Sequence, residues 1–226
     1  MEHIKLSPSS ISVFRDCPLC FWLEHARGIK RPDGIFPSLP SGMDRIFKNN
    51  FDSFRGKGLP PELFGLDGIK LFDDMKLLGD WRNNRRGIIY HDKTTDAVLK
   101  GVIDEILVKD GKFIILDFKT RGYPLKEDTH KYYQGQLDFY TYLLEMNGHE
   151  TEHYGYLLFY YPDKIVGKGV IVFDTKLVRV ETFPKNAEKM FRDAIECIRN
   201  PEPPNASSGC EYCRYFAGRS GMKGTF

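Results

Sequence analysis

The segment Gly101–Thr120, GVIDEILVKDGKFIILDFKT, constrains the fold more than any other part of the chain. Its Asp110-Gly111 dipeptide suits a two-residue type I′ turn, in which both central residues take positive φ. With the turn fixed there, Lys109 lies opposite Lys112, Val108 opposite Phe113, Ile106 opposite Ile115, Asp104 opposite Asp117 and Val102 opposite Lys119. Side chains alternate faces along a strand, so Asp104, Asp117 and Lys119 share one face. The other face carries Ile103, Glu105 and Leu107 against Ile114, Leu116 and Phe118. Both faces are mostly apolar near the turn, which predicts a strand pair covered on both sides.

Carboxylates opposed across a sheet repel one another, and burial raises the cost of unpaired charge. A hard divalent cation removes the conflict, because magnesium is held by one or two carboxylates together with waters and substrate phosphate. A lysine just beyond the second carboxylate can orient or deprotonate a water on such an ion. Taken singly, each charge is better explained by a strand end reaching solvent, with Lys119 paired to either aspartate. The three in register on one face favour a metal site.

Gly101-Val102-Ile103-Asp104 followed by Asp117-Phe118-Lys119 resembles the signature of the PD-(D/E)XK nuclease superfamily, in its RecB-like branch. That branch adds a helix bearing Gln-x-x-x-Tyr after the lysine, and HKYYQGQLDFYTYLLEMNG supplies Gln136 and Tyr140. A spacing of four puts the pair on one helical face; by itself it is ordinary helix surface and core. Leu137, Tyr140 and Leu144 give the helix an apolar side, and Gly148 stops it.

The resemblance implies an α/β restriction-endonuclease-like core, a mixed central sheet flanked by helices, and phosphodiester hydrolysis with Mg²⁺ or Mn²⁺. Asp104, Asp117 and the Phe118 carbonyl would hold one or two such ions. Lys119 would position or activate water or stabilise the pentacovalent transition state, and Gln136 and Tyr140 would steady the site or touch the DNA backbone. Family members often carry a histidine or glutamate on an early helix; PSGMDRIFK offers Asp44 instead, which either ligates the ion or caps its helix. None of the six histidines falls at the family's position, although His91 and His130 lie nearby in sequence.

Four of the five cysteines form C-x-x-C pairs at opposite ends of the chain, Cys17/Cys20 and Cys210/Cys213. Thiolates spaced this way can grip one metal from two sides, and such a centre would join the N- and C-terminal segments. On spacing alone zinc and an iron–sulfur cluster are equally suitable. Similarity to AddB-type nucleases and the related nucleases of CRISPR adaptation favours a 4Fe–4S cluster. Their usual one-plus-three cysteine arrangement is two-plus-two here, which keeps Zn²⁺ as the alternative. Cys197, with apolar neighbours in a helix, reads as a small buried hydrophobe.

With 226 residues, 41% of them hydrophobic and 14% aromatic, the chain can bury one good core. It reads as a single nuclease-like domain over 1–226: a helical segment at 1–60, a nuclease core at 85–185, and a helix with a turn-rich cysteine tail at 186–226. A net charge of +2 says that any nucleic-acid footprint is local. Candidate basic stretches are Lys30-Arg31, then Arg82, Arg85 and Arg86, then Arg214, Arg219 and Lys223. No apolar run is long enough for a bilayer, and MEHIKLSPSS lacks the apolar core of a secretory leader, so a cytoplasmic protein with no membrane partner is expected.

Helices are expected from Ser9 or Ser10, interrupted at Pro18, with Ile11, Phe14 and Phe21 inward; over MDRIFKNNFDSFR, with Ile46, Phe47, Phe51 and Phe54 inward; and over NAEKMFRDAIECIRN. Strands are expected at RGIIYHD, DAVLKG, YGYLLFYYP, KGVIVFD and LVRVETFP. The function implied is a DNA exonuclease of repair, recombination or CRISPR adaptation, with a helicase or adaptation protein as partner. The alternatives are an inactive nucleic-acid-binding module of the same fold and a metal-stapled protein-binding module.

Overall fold

The computed structural model describes residues 3–221. Two compact units are present, one made of Met1–Ile35, His91–Leu99 and Lys189–Phe226, the other of Phe36–Tyr90 and Lys100–Glu188.

The second unit is organised by the hairpin. Asp110 and Gly111 have φ of 49° and 84°, the left-handed pair a type I′ turn requires. Around them β5 (Glu105–Lys109) and β6 (Lys112–Thr120) pair antiparallel from Lys109↔Lys112 to Glu105↔Leu116. The ladder stops there. Asp104 sits at a bend just outside it, and Lys119 pairs in parallel with Phe159 of β7 (Tyr154–Gly167), so it has no partner at Val102 as the extended register had implied. Short β2 (Ile69–Leu71) and long β8 (Val170–Glu181) complete a sheet of order β2-β5-β6-β7-β8, in which only the β6–β7 pairing is parallel. KGVIVFD and LVRVETFP, expected as separate strands, run as the one strand β8, which follows β7 through two register shifts.

Helices cover both faces of β6. On one, α3 (Ser38–Phe54) lays Phe47, Phe51 and Phe54 against Leu107, Ile114, Leu116 and Phe118. Its inner row is Met43, Phe47, Phe51 and Phe54; Ile46, expected inward, is 61% exposed because it lies off that stripe. On the other face, α5 (Gln134–Met146) follows a 3₁₀ turn at Thr129–Tyr133 and forms the crossover between parallel β6 and β7. Gly101 makes that packing possible: a Cβ there would come within 2.6 Å of Leu143 Cδ1. Helix α4 (Met75–Trp81) was not foreseen; Asp74 caps it and Trp81 buries its end.

In the first unit, α1 (Pro8–Asp16) starts on a capping box between Ser7 and Ser10, so the cap is Ser7 and neither Ser9 nor Ser10. Cys17 ends α1 and caps α2 (Pro18–Arg27), which closes on left-handed Gly28. Unforeseen β1 (Ile4–Leu6) pairs in parallel with β4 (Ala97–Gly101), in a three-stranded sheet whose other member is β3 (Ile88–Asp92). Helix α6 (Pro184–Arg199) leads to a tail that forms α7 (Glu211–Gly221), where only turns had been expected. Cys197 is half-buried, at a shallow groove lined by Phe14, Pro18 and Pro204, more open than a core position. None of the helices among the described residues is long and apolar enough to cross a membrane.

Candidate active site and cysteine centre

Where the β5–β6 ladder ends, the chain gathers the charged groups that the hairpin register had put on one face. Asp104, at the bend, accepts a hydrogen bond on Oδ2 from the Phe118 backbone N–H at 3.3 Å. Asp117 is 1% exposed on the central strand β6. Its Oδ2 contacts Lys119 Nζ but makes no well-formed hydrogen bond. Burial raises the Asp117 pKa, the Lys119 ammonium pulls it back and the nearby Asp104 carboxylate pushes it up again, to about 7. A buried carboxylate oxygen with a hydrogen-bonding deficit, next to a second carboxylate, is the donor set a hard cation such as Mg²⁺ or Mn²⁺ accepts.

Lys119 is fixed from three sides. Beyond Asp117, its Nζ donates to Gln136 Oε1 at 2.9 Å and stands 4.7 Å over the Tyr133 ring. Gln136 Nε2 in turn donates to Tyr140 Oη at 2.8 Å. Burial and the Asp117 charge hold the Tyr140 phenol far above its ordinary pKa, so it remains neutral. The helical i, i+4 spacing thus links a single amide to the lysine on one end and the phenol on the other. Tyr133 carried no sequence signal beyond being aromatic.

Asp44 and Lys48 lie one turn apart on α3. Lys48 Nζ bridges Asp44 Oδ2 and Asp104 Oδ1, at 2.8 Å each. Burial disfavours its charge, but Asp104 and Asp44 outweigh that and raise its pKa, so it is an ammonium. Asp44 therefore reaches Asp104 through Lys48. Its alternative role as a helix cap is excluded, because α3 begins at Ser38 with Pro37 at the cap. The sequence reading missed Lys48. The available signal was a lysine four residues after Asp44 on a helix of otherwise aromatic inner face.

A second ion cluster braces the bend. Glu105, fully buried, pairs with Arg55 Nη2 at 2.5 Å and Arg82 Nη2 at 2.9 Å. Arg82 also holds Asp52 and donates from Nε to the Asp104 carbonyl at 2.7 Å. Arg82, a candidate nucleic-acid contact by sequence, is thus committed to positioning Asp104. Arg85 and Arg86 are exposed.

In the other unit the four cysteines converge. Sγ···Sγ distances are 3.8 Å for Cys17–Cys213 and 3.6 Å for both Cys20–Cys210 and Cys20–Cys213; such a group can hold a metal. Cys20 and Cys213 lie in the first turns of α2 and α7, and the N- and C-terminal segments meet here. Burial opposes ionisation of Cys17, but hydrogen bonds from the Cys20 and Ser207 backbone and from neighbouring thiols bring its pKa down to about 6. Arg31, also a candidate nucleic-acid contact, instead points Nη2 at Cys210 Sγ from 3.8 Å and lies over the Tyr212 ring. His91 sits on the surface with His3 and Asp96. Arg214 and Arg219 of the tail are exposed, and Lys223 lies outside the described residues.

A family model described as the PD-(D/E)XK nuclease superfamily matches residues 63–217. That span contains Asp104, Asp117, Lys119, Gln136, Tyr140, Cys210 and Cys213, and begins after Asp44, Lys48, Cys17 and Cys20. No curated protein matches the chain.

Proposed function

Because the chain belongs to the PD-(D/E)XK nuclease superfamily, we propose that it is a Mg²⁺- or Mn²⁺-dependent deoxyribonuclease of the RecB-like branch, cutting DNA at the end of the β5–β6 hairpin. The observation that carries this reading is the meeting of Asp104, Asp117 and Lys119 there, with a buried Asp117 oxygen that touches Lys119 Nζ without a well-formed hydrogen bond. Asp104, Asp117 and the Phe118 carbonyl would hold the ion, with Asp44 at the margin through Lys48. When bound, a divalent ion lowers the pKa of water and offsets the charge developing on the phosphate.

The remaining chemistry belongs to the chain. Lys119, in contact with Asp117, is aimed by the Gln136 amide and supports the growing negative charge on the scissile phosphate. Neutral Tyr140 fixes the Gln136 amide and so the direction of the lysine. Arg82 and Arg55, spent on Glu105, keep the bend from moving when the substrate's charge arrives. Exonucleolytic action in the cytoplasm, in repair, recombination or CRISPR adaptation beside a helicase or adaptation protein, completes the reading on the strength of the resemblance.

The test is Mn²⁺-dependent cleavage of end-labelled linear DNA by the wild type, Asp117→Ala and Lys119→Ala, with thermal melts of all three. Cleavage by the wild type alone, at matched stability, is expected. Undiminished cleavage by either variant overturns the assignment, and wild-type binding without cleavage points to an inactive binding module.

A further inference from the structure

The four-cysteine centre disagrees with the cluster that the resemblance implies. Thiolates bonded at about 2.3 Å to one tetrahedral ion stand about 3.8 Å apart, the edge of that tetrahedron. The Sγ separations of 3.6 Å and 3.8 Å match this edge, and all four sulfurs lie within 4.8 Å of one another. In a four-iron cluster each thiolate binds a different iron and the body of the cluster lies between them; sulfurs all within 4.8 Å of one another leave no volume for it. We infer that Cys17, Cys20, Cys210 and Cys213 hold a single structural Zn²⁺.

The surroundings suit that ion. Each C-x-x-C turns into a helix, and backbone N–H groups of Cys20 and Cys213 hydrogen-bond to the first sulfur of their own pair. Four thiolates on one Zn²⁺ leave a surplus of negative charge, which the Arg31 guanidinium beside Cys210 partly offsets. Arg31 is itself held by stacking on Tyr212, the residue between the last two cysteines.

The test is elemental and sulfide analysis of the full chain purified anaerobically, followed by exchange of the ion for Co²⁺. One zinc per chain, no acid-labile sulfide, and the visible bands of tetrahedral thiolate cobalt are expected. Iron with sulfide, a single iron, or a metal-free chain that takes up neither Zn²⁺ nor Co²⁺ would overturn the inference. No variant is needed, so misfolding cannot obscure the result.

An independent observation concerns α3 and rests on the nuclease reading. Asp104 Oδ1 and Asp44 Oδ2 are both taken by Lys48 Nζ, and Asp104 Oδ2 accepts from the Phe118 N–H. Asp117 Oδ2, in contact with Lys119 Nζ, is buried and short of a well-formed hydrogen bond. The geometry points to a one-ion site in which Lys48 stands as the second, permanent cation. Lys48 is then a positioning residue, neutralising Asp104 and Asp44 so that they do not recruit another ion.

Mn²⁺ counted by electron paramagnetic resonance, with Asp117→Asn as the blank, reads this directly. One ion in the wild type and two in Lys48→Met, with the variant's cleavage needing more Mn²⁺, is the expected outcome. Two ions in the wild type, or an unchanged count in the variant, overturns the role of Lys48. No specific ion in the wild type sinks the nuclease reading itself.

Discussion

The hairpin end and the cysteine centre both gather anionic ligands, and they differ in what balances them. Around the hairpin the acids are interleaved with organic cations: Lys48 between Asp44 and Asp104, Lys119 against Asp117, and Arg55 and Arg82 around Glu105. Around the cysteines one guanidinium, Arg31, faces four sulfurs. Charge that the chain neutralises by itself leaves a site that folds without an ion and can exchange one. Charge that it does not neutralise makes the ion part of the fold. On the nuclease and zinc readings proposed above, that one variable separates a reactive centre from a structural one.

The largest effect expected from this contrast is at the cysteines. Cys20→Ser or Cys210→Ser should cost several kcal/mol and unfold the unit that holds them, since binding energy of a structural ion is folding energy. A strong chelator should act in the same way on the wild type, while mild EDTA should abolish cleavage and leave the melting temperature nearly unchanged. Equal sensitivity of stability to both treatments would break the comparison.

Next, Lys119→Ala should lower cleavage roughly a hundred- to a thousandfold, the usual cost of removing one preorganised electrostatic group, with little change in melting. Arg82→Ala should act first on stability. It leaves Glu105 short of a partner and should destabilise by about 3 kcal/mol, by the same amount with and without Mg²⁺. A loss that Mg²⁺ repairs would mean that the ion, and not the arginine, supports the bend.

A smaller effect sharpens the reactive side. Asp117 is raised from 3.8 to about 7 by burial, against the pull of Lys119. Between those values the folded, metal-free chain keeps a proton that the unfolded chain has lost, so stability falls as pH rises through that window. Asp117→Asn should flatten the decline in a series of urea melts. The same proton competes with the ion, so Mn²⁺ affinity should weaken by about tenfold per pH unit below 7. The smallest change is expected for Gln136→Ala: about a tenfold loss in kcat with KM held, because the amide aims Lys119 and would not itself bind DNA.

Sequence legibility follows the range of the interactions. The turn, the register from Lys109↔Lys112 inward, the covering of both faces of β6 and the Gln136 helix were readable, because period and turn chemistry are local. Three-residue β1 and β2 were not, since each pairs with a strand far along the chain and is too short to carry a pattern. Arg82 and Arg31 read as surface cations, and only their three-dimensional partners reveal that they are committed within the fold.

What the sequence alone determined is the hairpin with its acids and lysine, and the pairing of cysteines at two ends; both are dictated by spacing. Tertiary structure alone decided that Lys48 ties α3 to Asp104 and that the four sulfurs close to within 4.8 Å of one another. Spacing along a chain specifies which face a side chain takes. Charge compensation and ligand distance depend on which distant groups packing brings within a few ångströms, and no local pattern encodes that.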